Sequence, residues 1–191
     1  QCADLRRLMA GRDRQEMREM HQKLQGNGGI QIDAAASHSG LLQMARLVNA
    51  EIKLVIEGKQ CNENKQVLLI NMKTLNTSRH SFLPDPLCPI CGRLPEDSPT
   101  AAKITLQASP KVSPESYRSR SIDDLSNFLT RDYLDQQIGF LNNKMIDLVP
   151  PFADVSVNLP LFIGDEGAAG RTNSYAVSEL TAILEALERY C

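Results

Sequence analysis

Long runs of like charge are missing from this chain of 191 residues. Its 21 Lys and Arg nearly balance 23 Asp and Glu, for a formal net charge of -2. With no basic cluster to meet phosphates, a nucleic-acid partner is not expected. Long apolar runs are missing too. Nothing approaches the ~20 residues that a bilayer demands, and no secretory leader opens the sequence, so a cytoplasmic protein is expected. Cysteine is scarce and odd in number, five in all, which argues against a disulfide framework. Internal repeats are absent. Residues 1 to 95 hold no glycine-rich loop after a buried strand. Gly26-Asn-Gly-Gly29 follows no such strand and is rejected as a phosphate loop.

What is present suffices for an ordinary core: 42% of residues are hydrophobic, enough for one large domain or two small ones. The chain begins Gln1-Cys2 without Met and stops at Cys191 directly after a strong helical pattern. We read it as an internal stretch of a longer polypeptide.

Residues 3 to 25 are charged, with Leu5, Leu8, Met9, Met17, Met20 and Leu24 near helical spacing; one helix or two are expected, with a break near Gly11. Gly26 to Gly29 is a loop. A second helix starts near Ser37 or Ser39 and carries Leu41, Leu42, Met44, Ala45, Leu47, Val48, Ile52 and Val55; the pattern fits a buried crossover helix. Cys61 to Lys65 is a polar turn. Gln66 to Met72 reads as a buried strand, which Thr74 to Phe82 extends or pairs. Pro95, Pro99, Pro110 and Pro114 among many Ser and Thr mark a shift in composition. A domain boundary is placed there, with units at 1–95 and 116–191 and a linker at 96–115. Ser121, with acids behind it, starts a helix running to about Leu134. Ile138 to Val149 and Phe152 to Phe162 read as strands separated by Pro150-Pro151. Gly164 to Gly170 reads as a loop before the last helix. The fold class is α/β (α+β).

Cys88-Pro-Ile-Cys91-Gly92 is a zinc-knuckle pattern. Two intervening residues let both thiolates reach one tetrahedral ion, and glycine relieves crowding behind them. A redox pair is the lesser alternative, because Pro86 and Pro89 flank the motif and no thioredoxin-like unit precedes it. Cys2 is the candidate third ligand, as the remaining half of a second knuckle. Cys61 reads as a bystander. His21, His38 and His80 read as surface or packing residues, His80 being a reserve ligand.

In the last helix Ser174, Ser178, Thr181, Glu185 and Glu188 succeed one another at steps of four, three, four and three, which stacks them on one face. Ala176, Leu180, Ile183, Leu184 and Leu187 form the apolar side. Hydroxyls followed by paired carboxylates suit a magnesium–nucleotide site, since hard cations take oxygen ligands. A solvated helix face is the alternative.

Two of these motifs, in this order, resemble the azoline-forming cyclodehydratases of ribosomal peptide biosynthesis. There a ThiF-like domain with a zinc tetrathiolate ends in a Pro-x-Cys-Pro-x-Cys-Gly knuckle, and a YcaO domain follows. Here the knuckle is Pro86-Leu-Cys88-Pro-Ile-Cys91-Gly92, and Cys2-Ala-Asp-Leu-Arg-Arg-Leu resembles the segment after the family's first knuckle. Gly170-Arg171-Thr172-Asn173-Ser174 and Thr181-Ala-Ile-Leu-Glu185-Ala-Leu-Glu188-Arg189-Tyr190 resemble the start of the YcaO core. Arg171 stands where Lys is usual and Thr172 where a second Gly is usual.

The resemblance implies the end of a ThiF-like zinc domain followed by the beginning of a YcaO domain. It implies structural zinc on Cys2, Cys88 and Cys91, with magnesium on Glu185 and Glu188. ATP would be held by Ser178, Thr181, Glu185, Glu188 and Arg189, although Arg189 serves equally well as an ion-paired anchor. The implied reaction converts Cys, Ser or Thr of a precursor peptide, leader plus core, to thiazoline or oxazoline. ATP phosphorylates the amide oxygen and so makes it a leaving group. A homodimer is expected by analogy. A zinc-stabilised scaffold that docks the leader peptide is the alternative function. Thioamide- or amidine-forming YcaO enzymes usually lack the zinc domain, and a sulfur-carrier adenylating enzyme leaves the striped helix unexplained.

Overall fold

The computed structural model describes residues 2–11, 37–59, 66–92, 94–161 and 164–191. Four helices and five strands occur among them: α1 (Cys2–Ala10), α2 (His38–Ile56), β1 (Gln66–Ile70), β2 (Thr77–Ser81), α3 (Ile122–Tyr133), β3 (Asn143–Asp147), β4 (Ala153–Leu161), β5 (Gly164–Thr172) and α4 (Tyr175–Tyr190). The chain is thus mixed α and β, as its patterning predicts. The remainder of the expected first helical region, the glycine loop and the turn at Cys61 lie outside the described residues.

β3, β4 and β5 form an antiparallel meander in that order, and β1 pairs with β2 in a separate antiparallel hairpin. β4 is the central strand. Its alternating Val155, Val157 and Leu159 are buried against the helical layer, the period-two signature of a one-sided sheet. α4 covers β4 and β5, and α3 leans on α4. The core gathers Leu129 of α3, Phe140 and Leu141 of the next loop, Val157 and Leu159 of β4, Ala168 of β5, and Leu180, Ala182, Ile183 and Ala186 of α4. Ala176, assigned above to the apolar side, is exposed, while Ala182 and Ala186 are fully buried.

One expectation fails here. Residues 164 to 170 are not a loop but most of β5, paired along its length with β4 from Ala153↔Thr172 to Leu161↔Gly164. The strand GDEGAAGRT lacks the branched and aromatic residues that mark strands in sequence. Its small residues serve packing instead. At Gly170 an added Cβ would collide with the Ser178 carbonyl of α4, so the absent side chain lets helix and strand approach closely. The expected strand from Ile138 is also shorter: Ile138, Phe140 and Leu141 plug the core from a loop, and pairing starts at Asn143.

α2 is capped by Ser37, whose hydroxyl accepts from the Gly40 N–H at 3.0 Å and donates to the Met72 carbonyl at 2.6 Å. An apolar groove of about 870 Å³ opens between Met44, Val48, Ile52 and Val55 of α2 and Leu68 to Ile70 of β1. The expected buried crossover helix is therefore half exposed, Ile52 at 50% and Ile56 at 79%.

Residues 94 to 121 contain no helix or strand. α1 bridges the two ends of the chain. Arg6 is buried, donates through Nε to the Leu83 carbonyl at 3.0 Å, and lies over the Phe140 ring at 5.2 Å. Phe140 in turn meets Tyr190 edge to face at 4.7 Å. A cation, two rings and a carbonyl thereby hold α1, the segment after β2 and the end of α4 together.

Candidate functional site

Cys2, Cys88 and Cys91 come together although 86 residues separate the first two in sequence. Their sulfurs all lie within 4.8 Å of one another, and Cys2 Sγ is 3.1 Å from Cys91 Sγ. Local chemistry prepares this geometry. The Asp85 carboxylate accepts from the Leu87 N–H, and its carbonyl from the Cys88 N–H, folding the Pro-flanked segment into a turn. The Gly92 N–H then donates to the Cys88 carbonyl at 2.8 Å. A Cβ at Gly92 would strike the Pro86 and Cys88 carbonyls, so only glycine closes this knuckle.

Backbone N–H groups of Cys91 and Ile90 aimed at Cys88, with Cys2 beside it, lower its pKa to about 6. Cys91, which gives its proton to Cys2 and Cys88, is pushed up to about 12. Cys88 is thus readier than Cys91 to meet a cation as thiolate, and Cys91 would give up its proton on binding one. Ideal Zn–S bonds of ~2.3 Å put sulfurs just under 4 Å apart, within the spread seen here. The three thiols fit a thiophilic ion. His80 does not join them. Its Nδ1 lies 2.7 Å from Asp135 Oδ2 and its Nε2 2.6 Å from Ser78 Oγ, a link between the hairpin and the turn after α3.

α4 carries the second group. Its stripe does not face one environment throughout. Ser178 is fully buried; its hydroxyl donates to the Ala153 carbonyl at 2.6 Å and meets Thr172 Oγ1 at 2.8 Å. Thr181 donates to the Val177 carbonyl at 2.8 Å, one turn back. Both hydroxyls are engaged within the fold. Toward the C-terminus the stripe emerges along the outer side of β5. Glu185 Oε2 accepts from the Ala169 N–H at 2.8 Å, and its Oε1 takes Arg189 Nη2 at 2.9 Å. Arg189 also pairs with Glu166. The Ala169 N–H first, and Arg189 second, hold the Glu185 carboxyl below its usual range. Glu188 is exposed, with no hydrogen-bond partner among the described residues. The turn before α4 is shorter than expected. Gly170 and Arg171 still belong to β5, and Arg171 Nε pairs with Asp154 Oδ2 at 2.5 Å, leaving Asn173 and Ser174 as the connection. Glu185 and Glu188 thus stand one helical turn apart in different surroundings, Glu185 held by the Ala169 N–H and Arg189 and Glu188 exposed.

Sequence reasoning missed the Ala169–Glu185 clamp. It depends on β5 being an edge strand with outward N–H groups, and β5 itself was not legible. It missed Arg6 as well, for charged residues of a short helix normally face water.

No protein-family profile matches the sequence, and none of the curated proteins compared with it matches. Among solved structures, a heterocyclase in complex with substrate and cofactor matches 99% of this chain with a TM-score of 0.64 at 16% sequence identity. The fold is similar to that of a heterocyclase. The match covers 27% of the heterocyclase chain, so this chain spans about a quarter of that protein. Among its described residues this chain has a cluster of three cysteines that could hold a metal ion, and no helix long and apolar enough to cross a membrane.

Proposed function

We propose that this chain belongs to an ATP-dependent cyclodehydratase that forms thiazoline or oxazoline rings from Cys, Ser or Thr residues of a precursor peptide. The observation that carries this reading is the heterocyclase-like fold extending over both motifs, the cysteine trio and the carboxylate helix, in one chain. Residues up to about 95 would be the end of a ThiF-like zinc domain, and those from about 116 the beginning of a YcaO domain. Each protein group has a definite task. Cys2, Cys88 and Cys91 would hold a structural zinc and lock α1 to the segment after β2. The buried Ser178 plants α4 on the sheet, so that the far end of the helix is presented rigidly. Glu185 and Glu188 would hold magnesium, and Arg189 would turn from Glu166 toward phosphate. Phosphoryl transfer to the amide oxygen is the chemistry that ATP and magnesium supply when bound. The homodimer and the cytoplasmic location belong to the same proposal.

The test is direct. The full-length protein is incubated with ATP, magnesium and a Cys-, Ser- and Thr-rich peptide, and loss of one water per ring is read by mass spectrometry. Glu185→Gln keeps an oxygen for the Ala169 N–H but loses the charge. Magnesium-dependent ATP binding and water loss should vanish while folding persists. A second reading is favoured by one observation: Glu185 is already occupied by Ala169 and Arg189. On that reading the chain is a zinc-stabilised scaffold that docks a leader peptide, and Glu185→Gln leaves nucleotide binding untouched.

A further inference from the structure

A polar cleft of about 550 Å³ lies where the end of α1 meets the sheet, and its lining shares no residue with either group above. Its walls are unusual in kind. Five carboxamides, Gln136, Gln137, Asn142, Asn143 and Asn158, face it together with Met145 and Asp165. Two of them form its floor: Asn158 Nδ2 donates to Asn142 Oδ1 at 2.8 Å, and Asn142 Nδ2 donates to the Ala10 carbonyl at 3.0 Å. That chain fixes which way both amides point and leaves the Asn158 oxygen as an acceptor. The carboxamides of Gln136, Gln137 and Asn143 have no hydrogen-bond partner among the described residues. They are available.

Among the described residues the lining has a narrow chemistry. It holds there no Lys, Arg or His to meet a phosphate, no aromatic ring on which a base or a sugar would stack, and one charged group, Asp165. A carboxamide both donates and accepts, as a peptide group does, and its size lies within the ~300–1,000 Å³ of ordinary ligand pockets. We propose that this cleft binds a short extended stretch of uncharged peptide, its backbone N–H and C=O groups paired with Asn143, Asn158, Gln136 and Gln137. This rests on the peptide-substrate reading for its biological identity, and it names where part of that peptide lies. The cleft joins α1 to β3 and β4, so an occupied cleft also clasps the cysteine end of the chain to the sheet.

The probe is a fluorescein-labelled, acetylated and amidated peptide of alternating Gly and Thr, followed by anisotropy with the protein. Saturable binding is expected, weakened about fivefold by Asn143→Ala and similarly by Gln137→Ala, each removing about one neutral hydrogen bond. Neither side chain is bonded within the described fold, so both variants should melt as the wild type does. A benzophenone amino acid at Gln136 should crosslink to the peptide, and one at the exposed Tyr117, which does not line the cleft, should not. Absence of saturable binding overturns the proposal, as does unchanged affinity in both variants with equal crosslinking from the two positions. The two readings fail separately. ATP-dependent ring formation with no effect of the cleft variants refutes the cleft alone; cleft binding without any ring formation refutes the cyclodehydratase alone.

Discussion

Replacing Gly170 by Ala should loosen the contact that carries the candidate nucleotide helix. The new Cβ would overlap the Ser178 carbonyl oxygen and stand 2.8 Å from the Ser178 carbonyl carbon and 3.0 Å from the Ala182 nitrogen. All are backbone atoms of α4, and no side chain can swing aside. Ordinary carbon contacts sit at ~3.5–4.0 Å, so the helix must retreat by roughly 1 Å. Overpacking of this kind costs about 3 kcal/mol. Alanine returns about 1 kcal/mol, through lower chain entropy in the unfolded state. The net loss is about 2 kcal/mol. At ~2–4 °C per kcal/mol for a chain of this size, the melting temperature should fall by about 4–8 °C. Gly167 is the control. It lies in the same strand, and an added Cβ there meets nothing within 4 Å. Gly167→Ala should leave the melting temperature unchanged or slightly raised. Calorimetry on both variants decides: if they melt alike, close helix–strand approach is not what Gly170 provides.

Three further outcomes are expected. Cys88→Ser should abolish zinc binding measured by elemental analysis and lower the melting temperature, whereas Cys191→Ser, at an exposed position outside the cluster, should do neither; equal zinc content in both variants contradicts the trio as a metal site. Ile183→Ala removes a fully buried side chain from the middle of the core and should cost about 2–5 kcal/mol in chemical denaturation; a loss below about 1 kcal/mol would mean that α4 does not pack as described. Glu185 has a depressed pKa in the fold, so its contribution to stability is full above the unfolded carboxyl value of ~4.3 and is lost as pH falls through the folded one. The wild type should therefore lose stability more steeply than Glu185→Gln between about pH 5 and pH 3, as read from melting temperature against pH. Parallel curves would show that the Ala169–Glu185–Arg189 clamp does not form.

How far the sequence discloses this protein depends on what each residue does. Helices α3 and α4 and strand β4 are readable because their apolar residues repeat with the period of the element that buries them. Ser37 and Ser121 announce helix starts, since a hydroxyl before a helix supplies the acceptor that the first N–H groups lack. The knuckle is readable because two thiols at one spacing, with a glycine behind them, have few other uses. Cys2 is readable as the third member, and the structure brings it to Cys88 and Cys91; what the sequence does not disclose is the contact of Arg6 with Leu83 and Phe140 that ties its helix there. β5 is hidden for a related reason. Its glycines and alanines look like a loop because strand signals measure what a strand buries with its own side chains, whereas β5 buries only Ala168 and Gly170, where the helix is laid across it. The same fact divides the stripe on α4. Spacing alone aligns Ser178, Thr181, Glu185 and Glu188, but β5 lies beside only part of the line. Where Gly170 lets the backbones touch, Ser178 must satisfy a buried carbonyl; where the strand edge is open, Glu185 reaches an outward N–H and Glu188 reaches water. One face of a helix thereby performs two jobs, anchoring at its start and presenting carboxylates at its end, and only the position of the strand separates them.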